Sequence, residues 1–137
     1  GKVDRIHLDP NTQTALVIDY KTGKPFRDWD RGSENEQRKA WEYKNQLIFY
    51  KLLLENSRTF GDKYQVRQGK IEFIEPFKDQ NIALTLEITN HDLEQTKQLI
   101  EIIYRKITTL DFPDTTKYGN DFAATQLFIN DLLDGHI

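Results

Sequence analysis

Two short apolar runs separated by a Pro-Asn breaker constrain this chain more than any other feature. Val3 to Leu8 and Ala15 to Tyr20 each read as a strand, and Pro10-Asn11 between them interrupts both. A tight turn at Asn11-Thr12 fixes the register of the hairpin, because opposed positions then sum to a constant. Leu8 faces Ala15, Ile6 faces Val17, and Asp4 faces Asp19. Side chains alternate with period two, so Asp19 and Lys21 share one face and Asp4 joins them. Opposed residues have Cβ atoms about 4.5–5.5 Å apart, and like charges placed so destabilise the pair. The facing carboxylates therefore need a cation, with Lys21 and a divalent metal as the two candidates. A solvated polar face on an ordinary hairpin is the alternative. Against it stands Leu16-Val17-Ile18, an apolar run of the kind buried on both faces. An Asp and a Lys closing such a run are costly unless they are used.

The loop after Lys21 carries Lys24, Arg27 and Arg31 with Phe26 and Trp29 between them. Cations interleaved with aromatics suit a nucleic-acid strand, through phosphate contacts and base stacking. The competing reading is a surface loop whose aromatics tuck back onto the core. Ser33-Glu-Asn-Glu36 fits a capping box and starts a helix running to about Asn56, packed through Trp41, Leu47, Ile48, Leu52 and Leu53. Gln46 and Tyr50 are four apart and stack on one face of it. Tyr64 to Gln68 and Lys70 to Glu75 read as strand material, ended by Pro76. Lys78-Asp-Gln-Asn is a turn, and Ile82 to Thr89 is a strand with Ile82, Leu84, Leu86 and Ile88 on one face. Thr89 or Asn90 caps a helix over roughly Asp92 to Leu110, whose stripe of Leu93, Ile100, Ile103, Tyr104 and Ile107 reads as core. Asn120 or Asp121 caps a last helix, Phe122 to Leu133, with Gly135 as its stop. His7, His91 and His136 are scattered and read as structural or exposed.

Gly-Lys-Val-Asp4-Arg-Ile, then Val-Ile-Asp19-Tyr-Lys21-Thr-Gly-Lys, then Gln46-Leu-Ile-Phe-Tyr50 occur in this order. The set closely resembles the nuclease motifs of RecB-like enzymes within the PD-(D/E)XK superfamily. Three ordered motifs are a strong signal where D-x-K alone would be weak. They cover residues 1–50. The resemblance implies an α/β, restriction-endonuclease-like fold: a mixed central sheet with a catalytic β-hairpin, flanked by helices, in one domain over 1–137. It implies a metal-dependent DNA nuclease of exonuclease type, part of an ATP-dependent helicase-nuclease in DNA repair. Asp4, Asp19 and the Tyr20 carbonyl would then hold Mg²⁺ or Mn²⁺. Lys21 would activate the attacking water or hold the scissile phosphate, with Gln46 and Tyr50 positioning the DNA backbone. The partners implied are DNA and helicase domains of the same parent chain or of a partner subunit.

Two departures from the family pattern matter. Relatives usually supply another metal ligand, a His or Glu, from a helix before the first strand, and residues 1–137 begin too late to include one. With Gly1 inside a motif and no methionine, the chain reads as a piece of a longer protein, weakly active or inactive by itself. Many relatives also hold an iron–sulfur cluster, but this chain has no cysteine, which excludes a cluster, a disulfide and a thiol nucleophile. No apolar run approaches the roughly 18 residues of a membrane span. With no signal peptide either, a cytoplasmic setting is the default. The net charge of −3 hides an asymmetry: residues 1–70 hold 14 Lys and Arg against 10 Asp and Glu, and residues 71–137 hold 5 against 12. The basic excess lies with the motifs, where a phosphate backbone would approach. The rival to an enzyme is a catalytically inactive nuclease-like module that guides DNA or acts as a scaffold.

Overall fold

The computed structural model describes residues 2–137. Its elements are β1 (Arg5–Asp9), β2 (Thr14–Lys21), α1 (Glu34–Glu55), β3 (Gln65–Phe73), β4 (Ala83–Glu87), α2 (Asn90–Thr108) and α3 (Phe122–Leu133). The four strands form one sheet in the order β1-β2-β3-β4. Strands β1 and β2 are antiparallel with Ile6 opposite Val17 and Leu8 opposite Ala15, the register expected from the sequence. The turn between them is built by Asp9, whose carboxylate accepts the Asn11 amide at 3.0 Å and the Thr12 amide at 3.3 Å. Gln13 follows with φ 54°, and the chain re-enters the sheet at Thr14. At the other end the ladder stops at Arg5 opposite Ile18, one residue short of Asp4.

Strand β2 runs parallel to β3, and β3 antiparallel to β4. A parallel pair needs a long crossover, and α1 supplies it. Gly69 divides two expected strand pieces, yet β3 passes through it unbroken. The reason is contact. A Cβ on Gly69 would lie 2.9 Å from Leu47 Cβ, so the missing side chain is what lets α1 sit against the sheet. That helix starts as the capping box requires: the Ser33 hydroxyl accepts the Glu36 amide, and the Glu36 carboxylate accepts the Ser33 amide at 2.8 Å. It buries Ala40, Leu47, Ile48, Tyr50 and Lys51. Leu53, expected to pack, is instead 44% exposed, because positions 40, 47, 48 and 51 lie on the sheet side and 53 is turned away from them.

Ile82, Leu84, Leu86 and Ile88 are buried while Ala83, Thr85 and Glu87 are exposed, the alternation of a one-sided strand. The loop between β2 and α1 is tied to this edge, with the Trp29 indole N–H donating to the Thr85 carbonyl at 2.8 Å. Phe26 from the same loop is buried and stacks on Tyr43 of α1 at 6.0 Å.

Compact packing divides the chain into residues 1–93 and 94–137. The first unit holds the sheet, α1 and the start of α2, where Thr89 caps by accepting the Asp92 amide at 3.1 Å. Leu93 belongs to its core. The remaining α2 stripe does not behave as core: Ile100, Ile103, Tyr104 and Ile107 are 40 to 69% exposed. Only Leu93 of that stripe lies inside the sheet unit, which ends there. In the second unit, Asp121 caps α3 by accepting the Ala124 amide at 2.7 Å, and Asp131 accepts the Tyr118 hydroxyl at 2.5 Å. Mixed four-stranded sheet and three helices together make the α/β, restriction-endonuclease-like class expected.

Candidate active site

Asp19 closes the apolar run of β2 on the face that α1 covers, and it is 4% exposed. A carboxylate this deep is costly unless it is paired. Lys21, two residues on and therefore on the same face, brings its Nζ to 2.7 Å from Asp19 Oδ2. The helix answers from above. Gln46 and Tyr50 occupy one face of α1: the Gln46 carbonyl oxygen accepts from Lys21 Nζ at 2.6 Å, and its amide donates to the Tyr50 hydroxyl at 2.8 Å. The Tyr50 hydroxyl lies 3.2 Å from both Asp19 Oδ1 and the Lys2 carbonyl, and its single proton serves one of them at a time. Gln46 Nε2 also reaches Asp19 Oδ1 at 3.4 Å.

Burial, and then the Asp19 carboxylate, push the Tyr50 phenol above its ordinary pKa; the Gln46 amide opposes this and the more remote Asp4 charge adds to it. Tyr50 therefore keeps its proton at neutral pH, which makes it a donor at this site and excludes it as a general base.

Asp4 is the outlying member. Continuing the ladder by one step sets it opposite Asp19, but its Oδ2 accepts the Tyr20 amide at 3.0 Å instead of meeting Lys21. Two carboxylates leaning on one lysine, the arrangement the sequence suggests, is thus half realised. Asp19 takes the lysine and Asp4 takes a backbone N–H.

Tyr43 is a member that the motifs do not reveal. Its ring lies 4.6 Å from Lys21 Nζ, which gives the ammonium an aromatic wall as well as two oxygen partners. The signal is available in retrospect, since positions 43, 46 and 50 follow i, i+3, i+7 on one helix face.

Lys24, Arg27 and Arg31 are exposed on the loop beside this centre, whereas Trp29 is half-buried with its N–H committed to Thr85. The aromatics of this loop tuck back and the cations stay out. Arg27 donates to the Gln80 side chain at 3.1 Å.

The donor set suits a hard divalent cation. Asp19 Oδ2 is buried without an aligned hydrogen bond, Lys21 holding it by charge alone. Among the described residues no three of His, Cys, Asp and Glu gather as a ready ligand set. Two carboxylates fit an ion that keeps several waters, as Mg²⁺ does, and do not fit a fully protein-closed site. No helix among the described residues is long and apolar enough to cross a membrane. Comparison with curated proteins and with solved structures returned no match. The family model of the PD-(D/E)XK nuclease superfamily matches residues 1–119, which include every residue of the cluster just described, and the chain belongs to that superfamily.

Proposed function

We propose that this chain is the RecB-like nuclease domain of a DNA helicase-nuclease, hydrolysing DNA phosphodiesters with Mg²⁺ or Mn²⁺ in exonuclease fashion during repair. The observation that carries the reading is the Lys21 ammonium held 2.7 Å from buried Asp19 and 2.6 Å from Gln46 on one face. A solvated surface has no need of that arrangement. The superfamily match crosses the boundary between the two compact units, which supports reading residues 1–137 as one domain.

In this reading Asp19 and Asp4, with the Tyr20 carbonyl, hold the cation, which when bound supplies Lewis acidity at a phosphoryl oxygen. Lys21 places a fixed positive charge where negative charge develops on the phosphate and the attacking water. Gln46 aims Lys21 through its carbonyl oxygen and steadies Tyr50 through its amide. Tyr50 donates to Asp19 and keeps that carboxylate oriented. Lys24, Arg27 and Arg31 lead the phosphate backbone in, and Trp29 pins their loop to the sheet edge. The test is cleavage of end-labelled single-stranded and duplex DNA with Mg²⁺ by the full-length parent protein that carries this chain, beside its Asp19→Asn and Lys21→Ala variants. Both substitutions abolish cleavage under this mechanism, and cleavage that survives either one refutes it.

The small acidic ligand set favours a second reading, a DNA-guiding module without catalysis. It predicts DNA binding with no Mg²⁺-dependent cleavage by the wild type and no effect of Asp19→Asn.

A further inference from the structure

We propose that the cleft between the β2–α1 loop and the turn at residues 77–80 binds one unpaired nucleotide of the DNA, beside the reacting centre. The identity of the ligand rests on the DNA-processing reading above. The cleft encloses about 400 Å³, within the size range of small-ligand pockets. Phe26, Ile82 and Phe77 form its apolar surface, and Lys24, Arg27 and Arg31 surround it. Its two acids are already engaged: Asp28 accepts the Asp30 amide at 2.9 Å, and Glu36 closes the capping box on Ser33.

The distinguishing feature is Phe77. It is 38% exposed, and two cations attend its ring, Arg27 at 5.8 Å and Lys78 at 5.4 Å. Both cations lie over the ring, so a base stacks on Phe77 by displacing one of them, and the displaced charge is then free to meet a phosphate. The turn that presents it is strained. Phe77 and Gln80 exchange backbone hydrogen bonds of 2.9 and 3.0 Å around Lys78 and Asp79, whose φ angles are 50° and 60°. Neither residue is glycine, and left-handed backbone disfavours a β-carbon. Such strain collects where a site needs a side chain held in place.

Position gives the cleft its meaning. Its buried floor, Phe26, stacks on Tyr43, and Tyr43 carries Lys21 on its other contact. Two stacked rings, Phe26 and Tyr43, therefore separate the cleft from the lysine of the candidate active site. A base seated on Phe77 belongs to a nucleotide close to the scissile phosphate, and a paired base is unable to enter. The cleft thus selects a frayed or single-stranded end.

The test is fluorescence anisotropy of the full chain with labelled oligodeoxythymidine and with a blunt duplex, in EDTA so that nothing is cut. Phe77→Ala is expected to weaken oligodeoxythymidine binding roughly 5- to 100-fold, in line with the loss of one base stack. Phe77→Trp restores it, and duplex binding is unchanged by either. Arg31→Ala is expected to weaken both and to reduce the salt slope by about one. Phe77→Ala binding like the wild type, Phe77→Trp failing to restore, or no oligodeoxythymidine binding by the wild type overturns the proposal. Phe77-dependent binding together with no Mg²⁺-dependent cleavage by the full-length parent protein keeps the cleft and removes the nuclease reading. Cleavage with Phe77-independent binding does the reverse.

Discussion

Helix α1 carries its partners into two buried lysine–carboxylate pairs, and they are built to opposite ends. Lys51 Nζ lies 2.6 Å from Glu55 Oε1 and donates to the Val66 carbonyl at 2.6 Å, and the same Glu55 oxygen accepts the Val66 amide at 3.0 Å. Both backbone groups of Val66 are thereby answered by one ion pair, and the Lys51 side chain is 1% exposed. That pair is closed, a clamp between helix and strand. Lys21 and Asp19 approach as closely, at 2.7 Å, and each pair has one side chain 20% exposed, Glu55 in the first and Lys21 in the second; what differs is that Asp19 Oδ2 has no aligned hydrogen bond. That pair is open. Distance alone does not separate a structural ion pair from a functional one; what the remaining lone pairs and protons do separates them.

The largest expected effect is on the open pair. Lys21→Ala and Asp19→Asn are each predicted to lower the DNA cleavage rate by at least about 10²- to 10³-fold, the scale of removing one charge-stabilising group. Lys21→Ala also leaves the buried Asp19 carboxylate without its cation, so thermal unfolding should show a loss as well. The contrast with the closed pair lies in cleavage, which a Lys51 variant that still folds should retain. Next comes the closed pair. Lys51→Met leaves the part-buried Glu55 without its cation and the buried Val66 carbonyl without its donor, at a predicted cost of about 3 kcal/mol, to be read from urea unfolding. A loss under about 1 kcal/mol would place Lys51 with ordinary surface lysines.

Smaller is Gly69→Ala, which pushes a methyl group onto Leu47 and is predicted to cost about 1–3 kcal/mol by overpacking. Leu47 neighbours Gln46, so cleavage should fall with stability in this variant, and unchanged activity would mean that α1 tolerates the shift. The smallest effect is an alkaline one. The folded state holds the Tyr50 proton more tightly than the unfolded chain does. That stability is fully present below the ordinary phenol pKa and is lost as pH rises through the raised folded value. Tyr50→Phe should therefore flatten the stability decline above about pH 10. An unchanged decline would assign it to other groups.

What could be read from the sequence was local and periodic. Constant sums across the Asn11-Thr12 turn gave the β1–β2 register, and Ser33 with Glu36 set the start of α1, because both depend on near neighbours only. The misses share another cause. Gly69 looks like a break until Leu47 is known to press on it. Lys51 looks like a surface residue until Val66 is found beneath it. The α2 stripe has the spacing of a core face, yet most of it lies beyond the unit that buries Leu93. Tyr43 carries no motif of its own and gains its place only from the Lys21 ammonium above its ring. In each case a tertiary neighbour, distant in sequence, decides the role.

The central claim is that Asp19 Oδ2, restrained by Lys21 and otherwise open, is a cation-accepting oxygen, as the Glu55 carboxylate is not. Calorimetric titration of the full chain with Mn²⁺ tests it directly, with no dependence on cleavage. Asp19→Asn should lose most of the binding, Lys21→Ala should bind more tightly than the wild type because a competing cation is gone, and Glu55→Gln should bind as the wild type does. Equal Mn²⁺ affinity in the wild type and in Asp19→Asn would contradict it.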